Sequence, residues 1–212
     1  LVETLNPFWA SRWAGYSRAG LGLAAIFCLL VYIERRQSRH LFLTGMMSGA
    51  AVIYSIDAGF FSILASIIAI FLLSSPDCGP FTSRSFIKAC RPLLVFSSGC
   101  GLVLGIFAIY MAIHGGLLPY LEATYLIATN HVSAWQTHVP TLLDAYRANG
   151  SFWKFFKSDG LRVHLPGIFY IFMILYLLVI WKKKIDTLEN RVILTTLTIY
   201  GILSFKSGSR VY

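Results

Sequence analysis

Five charged residues stand where a mostly apolar chain has little use for them. Asp57 lies in YSIDAGFF (54–61), with LFLTGMMSGAAVI before it and SILASIIAIFLL after it. Arg12 and Arg18 come just before or at the start of the first long apolar run, and Lys206 and Arg210 follow the last one, in KSGSR. A carboxylate in such surroundings is costly and usually faces protein, water or a partner. Arginine offers phosphate oxygens a fork of N–H donors, and lysine offers a point charge. One acid and four cations at one level would make a polar cleft able to hold a phosphate, and the Ser hydroxyls and Gly of KSGSR could add donors of their own. Each residue also has a plainer role open to it. Asp57 can cap the helix AGFFSILAS at its N-terminus, and the cations can snorkel at an interface.

The elements around these residues decide where they stand. The chain has 212 residues, 57% hydrophobic and 13% charged, with a mean hydropathy of +0.68. Soluble domains run about 45–50% apolar and about 25% charged. The apolar excess falls in runs long enough for bilayer crossing, roughly 20 residues per helix. Six such runs stand out, over about 16–33, 40–55, 58–75, 92–114, 165–181 and 191–205. The expected fold is therefore all-α: a polytopic transmembrane helical bundle of about six helices, forming one membrane domain across 1–212, with a short helical segment on its outer face.

Basic residues set the orientation. ERRQSRH (34–40) carries three Arg, the 76–91 linker carries Arg84, Lys88 and Arg91, and KKKIDTLENR (182–191) carries three Lys and Arg191. Lys and Arg collect in cytoplasmic loops. The three basic loops then go inside, and Asp57, the stretch 115–164 and both chain ends go outside. The net charge of +9 points to the lipid bilayer and its anionic head groups as partner. Nucleic acid is excluded, because no soluble domain is left over to present a basic face. Within the long outer stretch, LLPYLEATYLIA (117–128) suits a helix lying at the interface. SFWKFFK (151–157), Trp135 and Trp153 suit an aromatic belt.

Other motifs are silent on chemistry. SGCGLVLG (98–105) indicates close helix packing. Cys28 and Cys100 read as small packing residues, and no disulfide is expected between Cys78 and Cys90 beside a cytoplasmic loop. The five histidines show no paired-ligand spacing, no nucleotide or hydrolase motif is present, and no cofactor is evident. NGS (149–151) matches a glycosylation sequon.

A family resemblance adds to this reading. SRAGLGLAAIFCLLVYIERRQSRHLFLTGMMSGAAVIYSIDAGFFSILASIIAIFLL resembles the middle of bacterial GT-C membrane glycosyltransferases, the superfamily of dolichyl-phosphate-mannose mannosyltransferase-like proteins. Arg18 leading into a helix, the ERR turn, LTGMMSGAA, and Asp57 with Gly59 carry the likeness. YGILSFKSGSRVY resembles the passage from a helix to an outer loop where basic residues lie near the lipid-phosphate donor. The resemblance spans about 16–75 and 191–212. It implies transfer of a sugar from a polyprenyl-phosphate donor on the outer face of a bacterial inner membrane, to a lipid, glycan or protein. Lys206, Arg210, Arg12 and Arg18 would lie near the donor phosphate, and Asp57 would line the cleft. A divalent metal assists some such enzymes. Their catalytic acid sits in the first outer loop, which would place it upstream of Leu1, so we expect an internal piece of a longer protein and do not assign the base to Asp57. The same cations and acid would equally suit a transporter or flippase of an anionic or lipid-linked solute, which should show broken helices and repeat symmetry.

The topology is open to test. Cysteines placed at Ser38, Ser83 and Thr187 should resist an impermeant thiol reagent in intact cells. Labelling of any of the three from outside would overturn the orientation.

Overall fold

The computed structural model describes residues 7–74, 83–134, 147, 150, 151, 154 and 159–208. They form α1 (Pro7–Arg35), α2 (Ser38–Tyr54), α3 (Ile56–Ser74), α4 (Ser83–Ile113), α5 (Leu117–Ala134), α6 (Asp159–Lys183) and α7 (Leu188–Gly208), with no strand among the described residues. The protein is all-α over that range, and each of the six expected apolar runs lies in a helix. Two described stretches, Ile56–Ser74 and Ile87–Ile113, are long and apolar enough to cross a membrane. The expectations for Cys78, Trp135 and Trp153 concern residues outside those described.

Boundaries move where turn chemistry differs from hydropathy. The first helix starts at Pro7, well before residue 16; proline's fixed φ and missing N–H suit the first helical position. The fourth starts at Ser83, and Pro92 lies inside it. Proline there forfeits one helical hydrogen bond, a loss that neighbouring groups can absorb in apolar helices. The interfacial segment expected over 117–128 extends to Ala134 as α5. It follows α4 through Gly115, whose φ of +68° needs a glycine, and Tyr120 meets Phe107 edge to face at 5.3 Å.

A hydrophobic core of Ile26, Leu29, Ile33, Leu41, Ile70, Phe96 and Val192 is joined by rows of small residues. On α2 the buried residues are Leu41, Thr44, Gly45, Ser48, Gly49 and Ala51; on α3 they are Gly59, Ser62, Ala65, Ser66, Ala69 and Ile70. Both rows follow the three- and four-residue spacing of a helix face. Many other large apolar side chains point outward, among them Phe27 (68% exposed), Leu94 (70%) and Ile106 (62%). The buried hydroxyls are satisfied locally: Thr44 donates to the His40 carbonyl at 2.8 Å, Ser66 to Ser62 at 2.7 Å and Thr196 to Val192 at 2.7 Å. Such back-bonding lets Ser and Thr lie inside a helix contact with no unpaired proton. The Ser62 and Ser48 hydroxyls also share a hydrogen bond of 3.2 Å across the α2–α3 contact.

Small residues let backbones touch. A Cβ at Gly45 would run into the Phe96 carbonyl oxygen, and one at Gly99 into that of Phe42. A Cβ at Gly49 would lie 2.9 Å from the Cys100 carbonyl oxygen. Residue numbers rise together across this contact, so α2 and α4 run parallel, and the close packing expected of SGCG is carried by Gly99. Gly101 and Gly105 face open space. Gly45→Ala or Gly99→Ala should therefore cost about 1–3 kcal/mol by overpacking. Gly101→Ala should be neutral or gain up to about 1 kcal/mol of helix propensity. Thermal unfolding of detergent-solubilised variants measures both, and equal effects at Gly99 and Gly101 would refute the backbone contact.

Candidate functional site at the Asp57 end of the bundle

Three helices meet at one level through a glycine, a carbonyl and a phenol. Tyr200 of α7 is buried, and its hydroxyl comes so near Gly22 of α1 that a Cβ there would collide with it. The same Cβ would lie 3.3 Å from the Ala58 carbonyl oxygen of α3. The phenol also engages the Ser204 hydroxyl, one turn further along α7. At the other end, the guanidinium of Arg36 reaches Glu189 at 2.8 Å. These two anchor points fix α1 and α7 as antiparallel. Chain direction then carries α2 from the Arg36 end to the Asp57 end.

The anchor also sets the heights of the candidate residues. A helix rises 1.5 Å per residue, so from Gly22 and Tyr200 the backbone of Arg18 lies about 6 Å further out, Lys206 about 9 Å and Arg12 about 15 Å. Asp57 adjoins Ala58. Main-chain geometry thus brings Arg18, Asp57 and Lys206 to one end of the bundle. Arg12 and Arg18 do not precede the first helix but lie within α1, and Lys206 lies within α7, because both helices run past the hydropathy boundaries. The side chains of Arg12, Arg18 and Lys206, and the whole of Arg210, lie outside the described residues.

Asp57 is half-buried in the first turn of α3, and Ser55 takes the capping position instead. Ser55 swings to φ −154° and ψ 107°, donates its N–H to the Ala51 carbonyl at 2.7 Å and accepts from Gly59 at 3.0 Å. The helix consequently begins one residue earlier than YSID suggests. Asp57 still faces the positive end of the helix dipole. Gly59 beside it is sterically required, since a Cβ there would strike the Val52 backbone. Sequence inspection missed Gly22, Ala58 and Tyr200. They come from distant parts of the chain, and no local spacing marks them.

The opposite end is cationic and tightly tied. Trp181 donates its indole N–H to Thr195 at 3.1 Å, and the Arg191 guanidinium stacks over the ring at 4.9 Å. Arg191 is only 7% exposed, and its Nη1 is buried without a hydrogen-bond partner; the indole face supplies the compensating contact. Nothing among the described residues accounts for the similarly unpaired Nδ1 of His40. Arg36 holds the Glu189 carboxyl below its usual range through its hydrogen bond. Asp186 is lowered by hydrogen bonds from the Asn190 side chain (2.9 Å) and the Thr187 backbone (2.8 Å).

Among the described residues, no group of three or more His, Cys, Asp and Glu is placed to hold a metal ion. No family model matches the chain, and no curated protein or solved structure matches it.

The Arg36–Glu189 contact has a defined pH sign. A carboxyl with a lowered folded pKa stabilises the fold above its unfolded pKa, and that contribution is lost as pH falls through the folded value. Both side chains are over two-fifths exposed, at 41% and 44%, so screening limits the contact to under about 1 kcal/mol at neutral pH. Glu189→Gln should cost that much at pH 7 and remove part of the destabilisation seen on acidification. Identical acid sensitivity of the two proteins in thermal unfolding would show that the contact does not form in solution.

Proposed function

We propose that this chain belongs to a multi-pass membrane glycosyltransferase of the GT-C kind, which draws a sugar from a polyprenyl-phosphate donor at the outer face of a bacterial inner membrane. Membrane embedding is supported by two helices long and apolar enough to span a bilayer, Ile56–Ser74 and Ile87–Ile113, by the many exposed large apolar side chains, and by the small residues at the helix contacts. The contact between the ERRQSRH and KKKIDTLENR turns supports the six-span topology, because loops on one side of a membrane can touch.

The meeting of α1, α3 and α7 at Gly22, Ala58 and Tyr200 carries the functional reading. It gathers the backbone of two cations and one acid at a single end, although they come from residues 18, 57 and 206. In this reading Lys206 and Arg210, with Arg18 and, farther out, Arg12, hold the donor phosphate, and Asp57 lines the cleft. The acceptor hydroxyl oxygen bonds to the sugar's anomeric carbon as the bond from that carbon to the lipid phosphate breaks. The hydroxyl proton passes to a carboxylate base, and the electron pair leaves with the phosphate. Fixed cations stabilise the charge that grows on the departing phosphate. The base itself is not assigned to any residue of this chain, and a divalent metal would be an additional source of charge neutralisation.

Arg210 offers the sharpest test. A charge-assisted hydrogen bond is worth roughly 1.5–3 kcal/mol, so Arg210→Ala should weaken binding of a polyprenyl-phosphate sugar by about ten- to a hundredfold. Arg210→Lys should rescue only part of it, because the fork of donors is lost. Asp57→Asn should be milder, since Ser55 and not Asp57 holds the cap. Unchanged binding in Arg210→Ala, with expression intact, would return the cations to interfacial anchoring. Movement of the donor across the bilayer without sugar transfer would favour the transporter or flippase instead.

A further inference from the structure

α6 carries an unbroken outward row. Ile168, Phe172, Leu175 and Val179 follow at three- and four-residue spacing, and all are exposed. The same row runs on into Lys182 and Lys183, exposed in the last turn. Lys184 comes next, turning the chain in the left-handed region at φ +50°.

The nearby acids are already engaged. Glu189 is held by Arg36 at 2.8 Å, and Asp186 accepts from Asn190 and Thr187. Among the described residues, no ion pair or hydrogen bond occupies Lys182, Lys183 or Lys184. Three successive cations therefore stand without a counter-charge among the described residues at the foot of an apolar face. Their platform is rigid, because Trp181 is pinned to Thr195 and covered by Arg191.

We infer that this end of α6 seats an anionic phospholipid, with its phosphate among Lys182, Lys183 and Lys184 and its acyl chains along Leu175 and Val179. A soluble phosphate would have no use for the apolar row, and a zwitterionic lipid would leave the lysines without a net counter-charge. The inference rests on the membrane reading but not on the sugar-transfer reading, since the seat lies at the end away from Asp57.

The test compares lipid retained by the purified protein after reconstitution in phosphatidylcholine vesicles containing a minority of phosphatidylglycerol. Wild-type protein should retain phosphatidylglycerol above its share of the vesicle. A phosphate held directly among the three lysines loses its charge-assisted hydrogen bonds in the Lys182→Gln, Lys183→Gln, Lys184→Gln triple variant, which should lose more than about tenfold of the enrichment. Replacing all three by Arg should keep most of it. Lys88→Gln with Arg91→Gln, two exposed cations of α4, should change it by less than about twofold. Val179→Asn should lower total retained lipid without altering charge. Equal losses in the α4 and α6 variants, or no loss in the triple variant, would overturn the seat. Loss of the enrichment in excess inorganic phosphate would overturn the lipid assignment. Failure to float with vesicles of either composition would overturn the membrane reading and the seat together.

Discussion

Helices whose facing surfaces are lined by glycine, alanine and serine offer few large side chains to interlock across the contact. Their backbones must come close enough for dispersion to act along the whole contact. Here that constraint is met between α2 and α4, where Gly45, Gly49 and Gly99 let one main chain lie against the carbonyls of the other. It is met again at the α2–α3 turn, where Gly59 lies on the Val52 backbone. Side chains larger than a hydrogen atom at these points would push the helices apart and dissolve the arrangement that positions the Asp57 end.

Close approach also explains why polar residues occupy the interior. Serine and threonine are small, and their hydroxyl protons can be spent within the same helix on the carbonyl one turn back. Thr44, Ser66 and Thr196 all do this. The Ser48–Ser62 pair reaches across helices, and Thr195 accepts from Trp181 across α6 and α7, adding directional contacts to the packing.

The two ends of the bundle solve different electrostatic problems. At the Arg36 end, Glu189 is paired with Arg36, Asp186 accepts from the neutral Asn190 side chain and the Thr187 backbone, and Arg191 stacks on an indole face. Cations remain in excess there and face outward. At the Asp57 end, a tyrosine hydroxyl, a glycine and a backbone carbonyl join three helices without any charge. The backbones of Arg18, Asp57 and Lys206 stand beyond this uncharged junction.

Composition and hydropathy were enough to read an all-α chain and to find six of its helices, because burial in apolar surroundings obliges the backbone to bond within each helix. The close packing expected of SGCGLVLG was legible only in part: Gly99 and Cys100 meet α2, whereas Gly101 and Gly105 face open space, because composition does not say which face of a helix is covered. Helix ends were not legible. Ser55 displaced Asp57 as the cap of α3, and α1 and α7 ran on through Arg12, Arg18 and Lys206, because the ends depend on backbone torsions and on Pro7, which hydropathy does not weigh. The convergence of Gly22, Ala58 and Tyr200 and the pairing of Arg36 with Glu189 were decided only in three dimensions. These contacts join residues far apart in the chain, so no local period or motif records them, and only the packing of α1, α3 and α7 brings them within reach.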